Sequence, residues 1–505
     1  MKSMENKKIW TILLSVILFL QAAAEALTTV IVLKLNMLPG KYIAVFIALM
    51  VLLLAITALL MFVKVKGKVR TWRKIVACVL ALLIVCGCAL ISKVASDAYR
   101  TVDKVTGSAI STNVRNTYVL VLNEDPAQSL ADTKGYIYGA IANYDVTQTQ
   151  HVIQVVEEQT AEQLNVTYYA QADLMVDALY AQETKALIMS GASIALLIED
   201  ENYEDFLNRV RILYTLPHEN VQQPEPTEDV KEPREITKTP FVVYISGSDT
   251  RSSKLTVSRS DVNILAVVNP ETKQVLLLNT PRDYFVPNPA GDGALDKLTH
   301  CGLYGTDCSM KALSDLYGVQ IDYYGQINFT GFEKLIDSMG GITIYSDQSF
   351  PARDDTYINV GENYLTGSQA LDLCRERYHV SGGDNGRGKN QMKVIKAVIE
   401  KMTNSTTLIS NYSDILSSLE GMFTTNFTSE EISKLVKMQL SDMAKWNVQS
   451  FAVTGVGGSE KTYSAPGVNA YVMWPNENVV DYASELVQRV IAGDILTEED
   501  MKVPE

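Results

Sequence analysis

Hydrophobic positions along this chain follow three patterns in succession. The first is continuous. Residues 10–33 are apolar apart from Glu25 as their single charge, and residues 42–63 and 75–92 carry no charge. Each run can cross a hydrocarbon core of about 30 Å at about 1.5 Å per helical residue. None has the polar stripe of a helix packed into a soluble core. A cleaved signal peptide would have a shorter apolar core and a small-residue cleavage site, and would leave the two later runs unexplained. Three transmembrane helices are therefore predicted within residues 1–95.

The second pattern begins after a polar stalk. Tyr118–Leu122 reads as a strand, 151–164 as a helix, 166–169 as a strand, 172–180 as a helix, 186–189 as a strand and 203–210 as a helix. Strands alternating with helices predict a small α/β domain over 96–215, with no catalytic constellation and the role of a spacer or docking module. Residues 216–240 hold Pro217, Pro224, Pro226, Pro233 and Pro240 among Glu, Gln, Lys and Thr, a linker composition that cannot bury a core.

The third pattern runs from 241 to about 495. Strands are predicted at 241–245, 262–268, 274–279, 323–329, 342–344 and 448–453, and helices at 310–317 and 479–491. The run 262–268 is apolar throughout, as a strand covered on both faces would be. Capping-box spacings at Thr330…Glu333, Thr366…Gln369 and Thr428…Glu431 mark three helix starts, and Met392, Val394, Ile395, Val398 and Ile399 mark another helix. The expected fold class is a membrane-anchored α/β chain: three transmembrane helices, a small accessory α/β domain, and an α/β sandwich with a central mixed sheet.

Charge orients the anchor. Lys64, Lys66, Lys68, Arg70, Arg73 and Lys74 crowd the loop between the second and third spans, and Lys2, Lys7 and Lys8 precede the first. The positive-inside rule then puts the N-terminus in the cytoplasm and everything after residue 95 outside the cell. Across 505 residues the net charge is −14, so the chain lacks the basic footprint of a nucleic-acid binder. Cys301, Cys308 and Cys374 lie on the outer side, where one disulfide is permitted, with no pairing preferred. His151, His218, His300 and His379 are scattered, and no Cys/His spacing suggests zinc.

Charged clusters recur at predicted strand ends: Asp249-Thr-Arg251, Arg259-Ser-Asp261, Pro281-Arg282-Asp283, Arg375-Glu-Arg377, and Arg387 with Gln391. Ligands of α/β sheets bind in the crevice at strand ends. Arg375 and Arg377, two apart in an extended segment, would point the same way, and Arg387 and Gln391 at i,i+4 share a helix face. Guanidiniums around a glycine-rich turn suit a polyanionic phosphate ligand. Asp249 and Asp261 could share a hard cation such as Mg²⁺. Asp249 and Asp283 are both candidate bases for an acceptor hydroxyl.

Those clusters, with Lys297-Leu-Thr-His300, Asn328-Phe-Thr-Gly-Phe332, Gly340-Gly341, Gly367-Ser-Gln-Ala-Leu371 and Gly383-Asp-Asn-Gly-Arg387, together resemble the LytR-CpsA-Psr family of cell-wall phosphotransferases over about residues 241–403. The three spans, extra domain and linker resemble its capsule-type, CpsA-like branch. The resemblance implies transfer of a glycopolymer from an undecaprenyl-pyrophosphate carrier to peptidoglycan with Mg²⁺. It implies Asp249 and Asp261 as metal ligands, and Arg259, Arg282 and Asp283 with them as catalytic groups. It implies Arg259, Arg282, Lys297, Arg375, Arg377, Arg387 and Gln391 as the pyrophosphate grip. Asn279-Thr280 replaces the family's frequent Ser-Ile, and Gly388-Lys389-Asn390 lacks an Arg that many members carry before the glutamine. A membrane-anchored binding regulator, or a pyrophosphate hydrolase at the same site, are the competing expectations.

Overall fold

The computed structural model describes residues 2–64, 70–107, 116–142, 144–198, 200, 202–217, 235–248, 258–353, 356–404, 415, 418–467 and 469–503. Asp249, Arg251 and most of the Pro-rich linker lie outside the described residues. The chain forms two compact units, one of residues 1–107, 400–420 and 427–445 and the other of residues 108–399, 421–426 and 446–505.

In the first unit, helices Lys2–Leu35, Gly40–Phe62 and Thr71–Gly107 contain stretches long and apolar enough to cross a membrane, at Ile9–Lys34, Gly40–Phe62 and Thr71–Ser96. Large side chains such as Phe19, Val45 and Leu82 are exposed around them, as lipid-facing positions are. Glu25, inside the first span, is buried and accepts a bond from Gln21 Nε2 at 2.8 Å. Thr28 Oγ1 ties the first span to the third through Cys88 O and Ser92 Oγ. Arg73 donates to Leu59 O and Val63 O at the C-terminal end of the second helix.

The second unit is built on two large sheets. The N-terminal one has strands Thr117–Leu122, Ile137–Ile141, Asn165–Tyr169, Ala186–Ser190 and Val210–Leu216, with helices Val146–Thr160 and Ala172–Tyr180 packed on opposite faces. Two of its strands escape the pattern reading. Ile137–Ile141 reads Ile-Tyr-Gly-Ala-Ile, too short and small-residue-rich to stand out. Val210–Leu216 follows the helix predicted at 203–210, of which only the single turn Phe206–Arg209 forms.

The C-terminal sheet is mixed and six-stranded. Strands Phe241–Ser248, Ser260–Asn269 and Gln274–Asn279 pair antiparallel in succession; Tyr323–Asn328 runs parallel to the first and Asn447–Ala452 parallel to the third, and Phe423–Thr425 closes one edge. Period-two alternation splits the apolar residues between two cores. Val242, Tyr244, Leu265, Val267, Leu276 and Leu278 face helices Thr306–Tyr317 and Glu477–Ala492. Val243, Ile245, Ile264, Ala266, Val275 and Leu277 face Met392, Ile395 and Ile399 of helix Asp384–Asn404. This explains why the central strands read as continuous apolar runs: both faces are covered. The capping boxes at Thr366 and Thr428 form. The one at Thr330 does not, because Asn328 is the cap, taking Gly331 N–H at 2.8 Å, and the helix starts at Phe329.

Candidate active site

The strand directions bring the charged clusters to one edge. Because Ser260–Asn269 runs against both its neighbours, its first residues lie beside the last residues of Phe241–Ser248 and of Gln274–Asn279, as the pairs Gly247↔Val262 and Ile264↔Asn279 record. Asp261 therefore enters the edge from a strand start. Arg282 and Asp283 enter from the loop after a strand end, and Asn328 closes the parallel strand on the same side.

Arg282 is the hub. Its Nη1 donates to Asp261 Oδ1 at 2.9 Å, and its Nε lies 3.7 Å from Asp283 Oδ2, beyond hydrogen-bond length. Lys297 Nζ takes the other Asp283 oxygen at 3.0 Å. Thr299 donates to Asp261 Oδ1 at 3.4 Å. Burial works to raise the Asp261 carboxyl, but Arg282, helped by Arg387 and Arg259, outweighs it and holds the group below the usual aspartate range. Burial likewise works to lower the Arg282 pKa, and Asp261 and Asp283 outweigh it upward.

Helix Asp384–Asn404 brings the rest. Its first turn sits close against the sheet: a Cβ on Gly388 would come within 2.3 Å of Asn279 Nδ2, and one on Gly386 within 2.4 Å of Ser381 O. A side chain at 388 would displace the Asn279 amide, so glycine there permits the close approach of helix and strand end. Arg387, 8% exposed, pairs with Asp384. Burial lowers the Arg387 pKa and raises that of Asp384, since each ion loses water. Asp384 also feels Arg282, Asp283 and Asp261, so it belongs to the same electrostatic cluster. Asp384, not among the expected site residues, opens the helix where a glycine-rich turn was expected; its i,i+3 spacing to Arg387 was the available signal. Thr299 was not among them either.

Three expected grip residues are placed differently. Arg375 ends helix Gly367–Arg375, so Arg375 and Arg377 do not lie in one extended segment. The Arg375 guanidinium stacks on the Phe329 ring at 4.8 Å, a cation–π contact. Arg377 lies over Tyr378 and bonds its hydroxyl at 2.6 Å, and it interacts with Arg387. Gln391, at i,i+4 from Arg387, gives an amide N–H to Cys374 O at 3.2 Å, tying the two helices together. Glu376 shapes the bend between them. Burial works to raise its carboxyl, but backbone bonds from His379 and Tyr378 hold it low. Two buried guanidinium nitrogens, Arg282 Nε and Arg377 Nε, have no hydrogen-bond partner among the described residues. Such donors are costly unless a ligand takes them.

Cys301, Cys308 and Cys374 form no disulfide; burial pushes Cys374 up to about 12, which makes it a poor nucleophile.

Residues 214–479 match the model of the LytR_cpsA_psr family. The chain is 32% identical over 220 residues to the polyisoprenyl-teichoic acid–peptidoglycan teichoic acid transferase TagU of Enterococcus faecalis, covering 43% of this chain and 72% of that one. It is 32% identical over 213 residues to the Bacillus cereus protein of the same name, covering 42% and 67%. Among solved structures, B. subtilis TagV aligns with 50% of this chain and 98% of its own, at 23% identity and a TM-score of 0.43. The match to the family model over more than half the chain, and the relatives' identity over two thirds or more of their own length, establish that this chain belongs to the LytR-CpsA-Psr family.

Proposed function

We propose that the chain transfers a glycopolymer (capsule, teichoic-acid-like or another wall polysaccharide) from an undecaprenyl-pyrophosphate carrier to peptidoglycan. The observation that carries this reading is the pair of buried, unbonded guanidinium nitrogens, Arg282 Nε and Arg377 Nε, beside a carboxylate-bearing sheet edge. A pyrophosphate supplies the acceptor oxygens such donors lack. The TagU relatives bear names that describe transfer of a polyisoprenyl-linked polymer to peptidoglycan, which supports the same class of reaction here.

Phosphoryl transfer asks for positioning and charge neutralisation rather than a protein nucleophile. The acceptor hydroxyl oxygen bonds to the sugar-linked phosphorus. The P–O bond to the second phosphate breaks, prenyl monophosphate leaves, and the hydroxyl proton passes to a carboxylate. Arg282, Arg387 and Lys297 spread the phosphate charge. Asp283 is held by Lys297, and Asp249 remains the alternative base.

The donor set suits Mg²⁺. Asp261 Oδ1 takes the Arg282 guanidinium and the Thr299 hydroxyl, and a cation would be held through carboxylate oxygens, which are hard donors. Among the described residues, no three His, Cys, Asp or Glu side chains gather to hold a metal by themselves. Mg²⁺ typically takes one or two carboxylates and completes its shell with phosphate and water. Asp261 and Asp249 would hold it, and it would supply charge neutralisation to the phosphates. The loop charges support a cytoplasmic N-terminus and extracellular C-terminal domains in the cell membrane.

The test is incubation of the full chain, in lipid nanodiscs, with undecaprenyl-pyrophosphate-linked glycan, Mg²⁺ and peptidoglycan fragments. Transfer puts glycan phosphate on the fragments. Free phosphorylated glycan would mean a hydrolase, and unchanged carrier would mean a binding protein; either overturns the proposal.

A further inference from the structure

Lys297 and Thr299 reach the site, but the segment that carries them has a second side. Asp296 and His300 turn away from the site into a buried polar cluster. Neighbours in an extended segment point to opposite faces, so strand Leu295–Lys297 presents Asp296 and Lys297 in opposite directions. Asp296 is fully buried. Its Oδ1 takes His300 Nδ1 at 2.6 Å and Lys297 N–H at 2.9 Å. Its Oδ2 takes Asn288 Nδ2 at 3.0 Å and the Ser464 hydroxyl at 2.5 Å. A buried carboxylate is tolerated only when bonded in this way.

From Ser464 the bonds continue into the N-terminal sheet. Ser464 Oγ lies 3.0 Å from the Tyr304 hydroxyl, which lies 2.8 Å from the Tyr144 hydroxyl. Tyr144, in the loop after strand Ile137–Ile141, accepts from Ser190 Oγ at 3.4 Å. The proton order follows from the end of the chain. An ionised carboxylate only accepts, so Ser464 must give its proton to Asp296. Its oxygen then accepts from Tyr304, and Tyr304 in turn from Tyr144. Each hydroxyl has one proton, so all of these bonds point toward Asp296. The surrounding rings are packed: Tyr463 lies 5.6 Å from Tyr144 and 6.2 Å from Tyr304. A Cβ on Gly467 would meet Ala170 O at 2.0 Å. Two backbone bonds then join the Asp296 segment to the site: Thr299 N–H to Arg282 O and Leu298 N–H to Tyr284 O, each 2.8 Å.

We propose that the N-terminal α/β domain positions the active site, with Tyr144, Tyr304 and Ser464 as positioning residues that act through Asp296 on Lys297, Asp283 and Arg282. The domain then acts as a brace for the pyrophosphate grip. Only the identity of the ligand rests on the proposed function; the coupling itself does not.

Two measurements on the full chain in nanodiscs test this. Hydrogen exchange is compared between wild type and Tyr144→Phe, a substitution that keeps the ring and removes the proton. Faster exchange is expected in peptides covering 281–284 and 295–301, which lie in the other domain, with exchange in strand Gln274–Asn279 unchanged. The second measurement is affinity for farnesyl pyrophosphate with Mg²⁺ in a double-mutant cycle. Tyr304→Phe should weaken binding about three- to tenfold in the wild-type background and by less than twofold once Lys297 is Met. Melting curves accompany both. Unchanged exchange in the two peptides overturns the proposal, as does full additivity in the cycle. If wild-type protein fails to bind the probe, the functional reading falls, while the exchange result still decides the coupling.

Discussion

Arg282 holds together two carboxylates that would otherwise repel. Its replacement by Ala leaves Asp261 and Asp283 mostly buried, with Asp261 stripped of its ion pair. Breaking a buried pair from one side costs about 3–5 kcal/mol. Arg282→Ala is therefore expected to lower the melting temperature and abolish prenyl-pyrophosphate binding. Arg282→Lys should recover part of the stability but little of the binding, because a point charge lacks the fork. Full binding by the Lys variant, measured by titration at fixed salt, would contradict this. Arg377→Ala and Arg387→Ala each remove a charge-assisted bond worth about 1.5–3 kcal/mol, or about 10- to 100-fold in affinity. Binding within threefold of wild type in both would remove them from the grip. Asp296 gives a pH test. Burial works to raise its carboxyl, but His300, Ser464 and Asn288 hold it below the ordinary 3.8. A group whose folded pKa is depressed adds stability that is present above its unfolded value and lost as pH falls through the folded one. Wild-type melting temperature should drop below about pH 4 more steeply than that of Asp296→Asn. Parallel curves would count against it. At this scale the sequence announced Arg282, Asp283 and Lys297 through their order and type. It could not reveal that Arg375 rests on Phe329, because that contact joins segments 46 positions apart.

Elements decide which of those residues meet. The site exists because strand Ser260–Asn269 runs against both neighbours, which turns strand starts and strand ends into one edge. Buried strands were legible because both their faces are apolar. The hairpin of Gly455–Lys461 and Asn469–Pro475 was not, because the first strand is Gly-rich with no alternation and the residues of both are largely exposed. Strand Val210–Leu216 was missed for a related reason: Arg211, Tyr214 and Thr215 interrupt the apolar pattern at the sheet's edge. Helix Asp384–Asn404 offers a test at this scale. A methyl on Gly388 collides with the Asn279 side chain, which must move or push the helix away. Gly388→Ala should weaken prenyl-pyrophosphate binding by shifting Arg387, and Asn279→Ser in the same chain should restore part of it by clearing the space. No rescue, with both variants folded by melting curve, would mean the close approach does not set the position of Arg387.

For the whole molecule the open question is which side of the membrane each part occupies. The basic loop at 64–74 argues for a cytoplasmic N-terminus. Within the first compact unit a second observation bears on this. The connection between the first two spans touches helix Ser429–Asp442: Lys41 Nζ donates to Ser441 O at 2.7 Å and Lys437 Nζ to Asn36 Oδ1 at 3.1 Å. These contacts agree with the expectation that the connection at 36–41 lies on the side of helix Ser429–Asp442 and the basic loop, one span away, on the other. Exposed pairs of this kind contribute little stability, so their value here is as a marker of side. A membrane-impermeant maleimide applied to wall-stripped cells should label Leu38→Cys above the background of the parent chain and leave Lys66→Cys unlabelled until the membrane is opened. A protease added to the same cells should remove a tag fused after Glu505. Labelling at 66 in sealed cells, or a protected C-terminal tag, would reverse the orientation and put the sheet edge out of reach of peptidoglycan. The orientation and the acceptor stand together, because a hydroxyl on the outer wall can be reached only from a site on the outer face.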